Sequence, residues 1–530
     1  MVNSIFAGVK IIRQESSVLI VGAGIGGLVS AVLLASRGMA VTVLEKEAAA
    51  GGKVRQLDVD GAMVDAGPTV FTMRGVIDDI FAAAGAATED YVKLHKADRI
   101  ARHAWDADTR LDLFADHARS VQAIGEFAGA KAAAGFEGFS KEARRIFDIL
   151  DRPFLQDSKT YPPGLMRRIG LWRVGALIAI RPYESLWKVL KEHFDDPRLL
   201  QLFGRYTTYC GSSPFQTPAT LMLIAHVEAQ GVWAIEGGMS ALAAGLEKLA
   251  RDKGVHFRYS ADVARLDVRK RTVAGVELAS GEYLQADKVI FNGDPAALAS
   301  GILGNSAAAA TRNVPATARS LSALVWLANA KSSGFDLDHH NVFFSDDYEA
   351  EFRDIKAGRP PASPTAYVCA LDRGQASVPA GQAERLQIIV NAPANGDTEQ
   401  YASRERDRCT TEMLARLRAC GLELEDPLPH RLVTPADFAT LFPATGGALY
   451  GRASHGWAAS FLRPGSRTSI RGLYCAGGAT HPGAGVPMAA LSGRLATQAL
   501  LSDHISTRWF HRRAIAGGMS TRSAMMGASG

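Results

Sequence analysis

Three glycines spaced Gly22-x-Gly24-x-x-Gly27, with Gly26 between them and an acid at Glu45, eighteen residues after Gly27, have the types and spacing to hold a dinucleotide. The chemistry is mostly that of the main chain. Gly22 permits a tight turn, Gly24 lets the backbone approach a pyrophosphate, and Gly27 lets a helix pack closely on a strand, while the free amides at the helix start face the phosphates. Glu45 can accept hydrogen bonds from ribose hydroxyls. Directly after it come Lys46, a second glycine pair ending at Gly52, and the cations Lys53 and Arg55. The two cations either approach the nucleotide or belong to a solvated loop.

A second constellation lies near the C-terminus. Gly478 is followed by Ala479-Thr480-His481-Pro482-Gly483-Ala484-Gly485-Val486-Pro487-Met488 and then by small and apolar residues of helical character. Pro487 suits the first position of a helix, where no amide hydrogen is missed. The free amides there carry about half an elementary charge, enough to favour negative charge on a group placed against them. For proton transfer the candidates are His481 and Glu236. The plainer readings make His481 a turn residue satisfied by local hydrogen bonds, and Glu236 a helix cap or a ribose ligand. No Ser/His/Asp triad and no carboxylate pair is evident.

These residues need elements to hold them. The run 18–22 reads as a buried parallel strand, 28–37 as a helix stopped by Gly38, and 40–44 as a second strand. Two further strands are expected in 54–70, closing on Asp65-Ala66-Gly67-Pro68-Thr69, a turn that returns the chain beside the cofactor. From about 90 to 235 the pattern becomes helical. Strands are expected again at 255–259, 263–268, 273–278, 288–292, 321–327, 386–390 and 472–478, with a helix running on to Leu249 after Glu236. The expected fold is α/β, a discontinuous Rossmann-type domain made of residues 14–90, 235–296 and 465–505. A mixed α+β substrate-facing and membrane-facing domain takes 91–234 and 297–464, and 506–530 form a basic tail.

The extension from Glu45-Lys46 to Gly51-Gly52 resembles the FAD-binding start of the amine oxidase and phytoene desaturase superfamily. Taken with Asp65–Val70, Glu236-Gly237-Gly238-Met239 and Tyr474 through the His-Pro-Gly-Ala-Gly-Val-Pro run, the sequence resembles the bacterial phytoene desaturase family of carotenoid oxidoreductases from about residue 16 to 503. Met488–Gly493, Phe203–Tyr209 and Ser213–Gln216 look most like the hydroxyneurosporene (1-hydroxycarotenoid 3,4-) desaturases. Phytoene desaturases proper usually carry Ile-Pro-Gly-Val where this chain has Val486-Pro487-Met488-Ala489.

The resemblance implies an FAD enzyme that removes two hydrogens from an acyclic carotenoid beside its conjugated system, with quinone or oxygen as terminal acceptor. It implies adenine contact through the backbone of Val263 and flavin contact by Gly478, Val486, Pro487 and Met488, with the Gly51-Gly52 amides near the flavin side, Lys53 or Arg55 close to the phosphates or ring, and Pro68 and Thr69 beside the cofactor. Hydride leaving an allylic carbon produces a cation that the polyene delocalises, so no strong base is needed and positioning is the main device.

Composition sets the outer limits. With 530 residues, 47% of them hydrophobic, 59 Lys+Arg against 54 Asp+Glu and a net charge of +5, the chain is neither disordered nor collagen-like and has no mark of a nucleic-acid binder. The five cysteines, without a CxxC pair or a nearby histidine cluster, suggest neither a disulfide framework nor a metal site. No signal peptide and no apolar run of about 18–20 residues is present, so neither export nor a membrane span is expected. Peripheral attachment at the cytoplasmic face of the inner membrane is expected instead. Its carriers would be residues 164–181, where Arg167, Arg168, Arg173 and Arg181 alternate with apolar side chains, and the arginine-bearing tail. Three competing readings remain: a phytoene or neurosporene desaturase, a soluble FAD amine oxidase, and a non-catalytic protein of the GDP-dissociation-inhibitor type that binds lipidated partners.

Overall fold

Four consecutive apolar residues, Val18–Val21, need burial on both faces, and they form the central strand of a five-stranded, wholly parallel sheet. The computed structural model describes residues 17–158, 161–170, 174–373 and 381–516. Across this sheet the order is Leu473–Cys475, Lys288–Phe291, Val18–Val21, Val41–Leu44 and His256–Arg258. Its strands therefore come from three widely separated stretches of chain.

Two helices run close over it, Ile25–Ala35 and the start of Val486–Ala516. Their approach depends on Gly493, since a Cβ there would lie 2.3 Å from the carbonyl oxygen of Gly26. Ser30 fastens the same contact by donating to the carbonyls of Gly26 and Gly493 at 2.8 and 3.1 Å. A three-stranded antiparallel sheet, Val263–Arg269, Thr272–Leu278 and Tyr283–Gln285, borders the parallel one.

The second layer is a mixed sheet of eight strands. Its order is Glu423–Leu424, Ser322–Ser333, Ala383–Ala392, Ala366–Ala370, His340–Phe343, Arg99–Ala104 and Arg110–Phe114, with His430–Val433 also paired to Ser322–Ser333. The twelve-residue strand Ser322–Ser333 is long enough to serve two cores. Leu324, Trp326 and Ala328 pack into one, and Ala323, Val325 and Leu327 into the other, as the period of two requires.

Residues 99–104 and 110–114 correct the expectation of helices throughout 90–235, as do the short paired strands Leu94–Lys96 and Trp233–Ile235. The sequence hides them because their charges are matched across strands: Asp112 pairs with Arg99 at 2.7 Å and with Arg102 at 2.9 Å. The C-terminal helix starts at Val486, so Pro487 is its second residue, still within the turn that has no amide to lose.

The stretch 164–181 is not one helix. Pro162–Ile169 ends at Gly170, whose φ of 106° breaks it, and Val174–Ala179 is separate. Arg181 is held by Glu142, Glu184 and Glu192 rather than left for a lipid surface. Arg173 lies outside the described residues, as do residues 1–16 and 517–530, and the helix Val486–Ala516 occupies the first part of the expected tail. No helix among the described residues is long and apolar enough to cross a membrane.

Candidate active site

A single cavity of about 1370 Å³ runs from the glycine turn to the apolar side chains between the two sheets. At the first end Gly22 has φ +98°, a conformation that side chains rarely adopt. The second glycine pair lies across from the first turn: Gly51 N–H donates to Ala23 O at 2.9 Å, and a Cβ on Gly52 would come within 3.1 Å of Gly24 Cα. Gly27 faces the strand, where an added Cβ would stand 2.2 Å from Gly22 O. Glu45 is buried, and its carboxylate accepts from Ala23 N at 2.6 Å and Glu47 N at 3.0 Å. It thus pins the turn while also lining the cavity.

Lys53 is not in a solvated loop. Its ammonium donates to Leu449 O and lies 5.0 Å from the Phe442 ring centroid, and burial holds it below its usual range against the pull of Asp294. Arg55 is likewise lowered by burial, opposed by Glu47. Lys46 donates to Leu441 O at 2.8 Å. Pro68, Thr69, Val263, Gly478, Val486, Pro487 and Met488 all line the same cavity as Gly22 and Gly24, so segments from the two ends of the described chain meet at one space.

Both proton-acceptor candidates lie elsewhere. Glu236 is exposed and faces Lys93 at 3.5 Å and His95 at 3.7 Å on the outer surface. It does not cap the helix Met239–Asp252 either. That is done by Asp65, whose carboxylate accepts from Met239 N at 2.6 Å and whose burial raises its pKa. His481 is buried beside the cavity without lining it. Its Nε2 donates to Phe154 O at 2.9 Å, its ring meets Phe154 edge-on, and burial lowers its pKa to about 4, so it is neutral near pH 7. The partner is 327 residues away, not the local turn.

The far half of the cavity is lined by Leu155, Leu223, Ile224 and Val227, and carries a polar group that spacing does not reveal. Arg205 stacks over the rings of Tyr209 and Tyr367, 5.3 and 5.1 Å from their centroids, and donates to Tyr209 Oη at 3.3 Å. Glu228 accepts from Tyr206 Oη and, at 2.9 Å, from Tyr209 Oη. Burial pushes its carboxyl up, while those bonds and the charge of Arg205 pull it back. Tyr367 Oη in turn donates to Thr69 Oγ1 at 2.9 Å, tying this group to the nucleotide half. Asn292 also escaped the sequence reading: its Nδ2 donates to Gly22 O at 3.1 Å and braces the glycine turn from the neighbouring strand.

One cluster departs from the expectation that no metal ligands gather. His339, His340 and Cys369 bring ligand atoms within 4.8 Å of one another, because His340 and Cys369 are register partners on adjacent strands. One nitrogen of each ring is engaged, His339 Nδ1 with Arg373 O at 2.9 Å and His340 Nδ1 with Tyr367 Oη at 2.7 Å, while among the described residues His340 Nε2 has no partner; burial pushes the Cys369 thiol up to about 12.

Residues 25–501 match the model of the flavin-containing amine oxidoreductases. The hydroxyneurosporene desaturase of Rubrivivax gelatinosus is 52% identical over 96% of this chain and 98% of its own length, and that of Rhodobacter capsulatus 44% over 93% and 99%. The chain belongs to the carotenoid desaturases of this flavin family. It shares its fold with an oxidoreductase from Methanosarcina mazei (TM-score 0.57, 16% identity, 91% of this chain and 100% of that one). A redesigned putrescine oxidase is similar to the same degree (TM-score 0.57, 14% identity, 92% and 99%).

Membership in the family makes the chain an FAD-dependent oxidoreductase, which excludes the non-catalytic reading. The residues fit that cofactor. Gly24 and Gly52 pack directly against each other, and together with Gly22 and Gly26 they present bare main chain to the cavity, where Glu45 and the amides at the start of Ile25–Ala35 can serve as the ribose and phosphate partners.

Proposed function

We propose that the protein is a 1-hydroxycarotenoid 3,4-desaturase, introducing a C3–C4 double bond into an acyclic hydroxylated carotenoid. The observation that carries this reading is the continuity of the cavity, whose glycine-lined end suits FAD and whose other end is apolar and walled by tyrosines. It is supported by relatives named hydroxyneurosporene desaturase at 44–52% identity and by a Flavobacterium 1-hydroxycarotenoid 3,4-desaturase at 28%.

FAD supplies the two-electron acceptor for a hydride from the allylic carbon. The turn at Gly22–Gly27, Glu45, Gly52 and the start of Val486–Ala516 hold and orient it. The apolar wall keeps the polyene extended, and the cation left by the hydride loses the proton of the neighbouring carbon to water as the double bond forms. Quinone or oxygen then takes up the electron pair.

The substrate is drawn from a bilayer, and the protein sits on the cytoplasmic face of the inner membrane. Exposed apolar side chains support this: Tyr183, 79% exposed, and Trp457, 47%, have their rings in contact, and Ile178, 70%, Met166 and Leu462 are exposed too. Ring contacts lead inward from them, Tyr183 to Trp457, Trp457 to Phe461 and Phe461 to Phe154, next to the cavity-lining Leu155. These side chains, rather than a single amphipathic helix over 164–181, are the proposed membrane contact.

One observation favours an amine or amino-acid oxidase instead, the Arg205 guanidinium among tyrosines, which would suit a small carboxylate. The length and apolarity of the remaining cavity weigh against it. The test is incubation of the flavin-loaded protein with acyclic carotenoids in vesicles, reading product spectra for one added double bond. Preference for phytoene would move the assignment to a phytoene desaturase, and turnover of amino acids alone would end it.

A further inference from the structure

The cavity holds one charged pair that a dinucleotide does not explain. Among the described residues, the other charged side chains that line it come from the nucleotide-binding end, whereas Arg205 and Glu228 belong to the apolar end. A hydrocarbon gains nothing from a buried guanidinium, and desolvating both charges is costly unless they are used. Of the five N–H donors a guanidinium offers, Arg205 has, among the described residues, one engaged in a long bond, to Tyr209 Oη at 3.3 Å. Its flat faces are held by Tyr209 and Tyr367. The Tyr209 hydroxyl bridges to Glu228, which Tyr206 also holds, so an orientated donor and an acceptor stand side by side.

An alcohol is the complementary ligand, since its oxygen accepts while its proton donates. The placement along the cavity also fits. In a 1-hydroxycarotenoid the oxygen is only a few bonds from C3 and C4, so whatever reads it must stand close to the hydride acceptor. Tyr367 lies under Arg205 and donates to Thr69, in the segment expected beside the cofactor and lining the same cavity as Gly478 and Val486–Met488.

We propose that Arg205 reads the substrate's hydroxyl by donating to its oxygen and Glu228 by accepting from its proton, with Tyr209, hydrogen-bonded to both, as the positioning residue. This rests on the desaturase reading and deepens it, because it names the group that separates a hydroxylated end from a plain one.

The experiment compares kcat/KM of the holoenzyme on two acyclic carotenoids in vesicles that differ only in the 1-hydroxyl, for wild type, Arg205→Gln, Arg205→Lys and Tyr209→Phe. Flavin content and the flavin spectrum are recorded for each. Wild type is expected to favour the hydroxylated substrate. Arg205→Gln is expected to lose about ten- to a hundredfold on that substrate and little on the other, with flavin retained. Arg205→Lys should fall between the two, and Tyr209→Phe should erode the preference more mildly, which keeps the proposal testable if Arg205→Gln fails to fold. A preference that survives in flavin-loaded Arg205→Gln, or an equal loss on both substrates, overturns the role of Arg205 and leaves the desaturase reading standing. Absence of any preference in the wild type defeats the reading itself.

Discussion

The two halves of the cavity are built from different materials. At the nucleotide end the wall is main chain: glycines with no Cβ, strand ends and helix starts, with Gly24 and Gly52 almost touching. At the other end it is side chain: Arg205, Glu228 and four tyrosines set among leucine, isoleucine and valine. A main-chain site tolerates no added atom, while a side-chain site can be retuned residue by residue. The cofactor end therefore fixes the kind of chemistry, and the far end fixes which molecule undergoes it.

The sharpest way to break this contrast is Gly27→Ala. A methyl group 2.2 Å from the Gly22 carbonyl forces helix and strand apart, costing about 1–3 kcal/mol or more of packing, so the purified protein should be largely colourless. Normal flavin content in this variant would show that the glycine turn is not the rigid element described. Next in size is His481, at the junction of the two halves. Its folded pKa of about 4 lies below the ordinary 6.5, so the stability conferred by the neutral ring is complete above pH 6.5 and is lost as pH falls toward 4, by about 3 kcal/mol at most. His481→Asn keeps a donor without titrating, and Tm measured against pH should flatten over that interval. An unchanged slope would place the acid sensitivity elsewhere.

Smaller again is the surface outside the substrate end. Ile178→Asp with Trp457→Asp should weaken binding to anionic vesicles about tenfold in a flotation assay, since each residue buries only part of its apolar area in a membrane. Unaltered flotation would contradict the bilayer route. Smallest is Glu236→Gln. An exposed carboxylate paired with Lys93 contributes about 0–1 kcal/mol, so both Tm and turnover should stay near wild type, and a large loss of turnover would restore Glu236 as a proton acceptor.

The contrast also explains what the sequence could tell. The glycine spacing, the strands around it and Glu45 are legible because their contacts lie within a short stretch and are dictated by main-chain geometry. The same reasoning found the helix start at Val486–Met488, one position from where the structure begins it. Arg205 and Glu228 were not legible, because neither is near a motif and their relation passes through the hydroxyl of Tyr209. A lone arginine inside the aromatic run Phe203–Tyr209 was the one available signal. His481 and Glu236 misled for the opposite reason. They sit in recognisable motifs, yet one is spent on Phe154 and the other on the outer surface. His340 and Cys369 show the same blindness, since cross-strand register brings together what the chain keeps 29 residues apart.

The central claim is that one cavity brings a long hydroxylated polyene to a flavin. It is tested most directly by mixing the flavin-loaded protein, without oxygen, with an acyclic 1-hydroxycarotenoid in vesicles and following both chromophores at once. The account predicts loss of the oxidised flavin absorbance in step with a red shift of the carotenoid, one double bond gained per flavin. A flavin that stays oxidised with the carotenoid but is bleached by an amine or amino acid would contradict it.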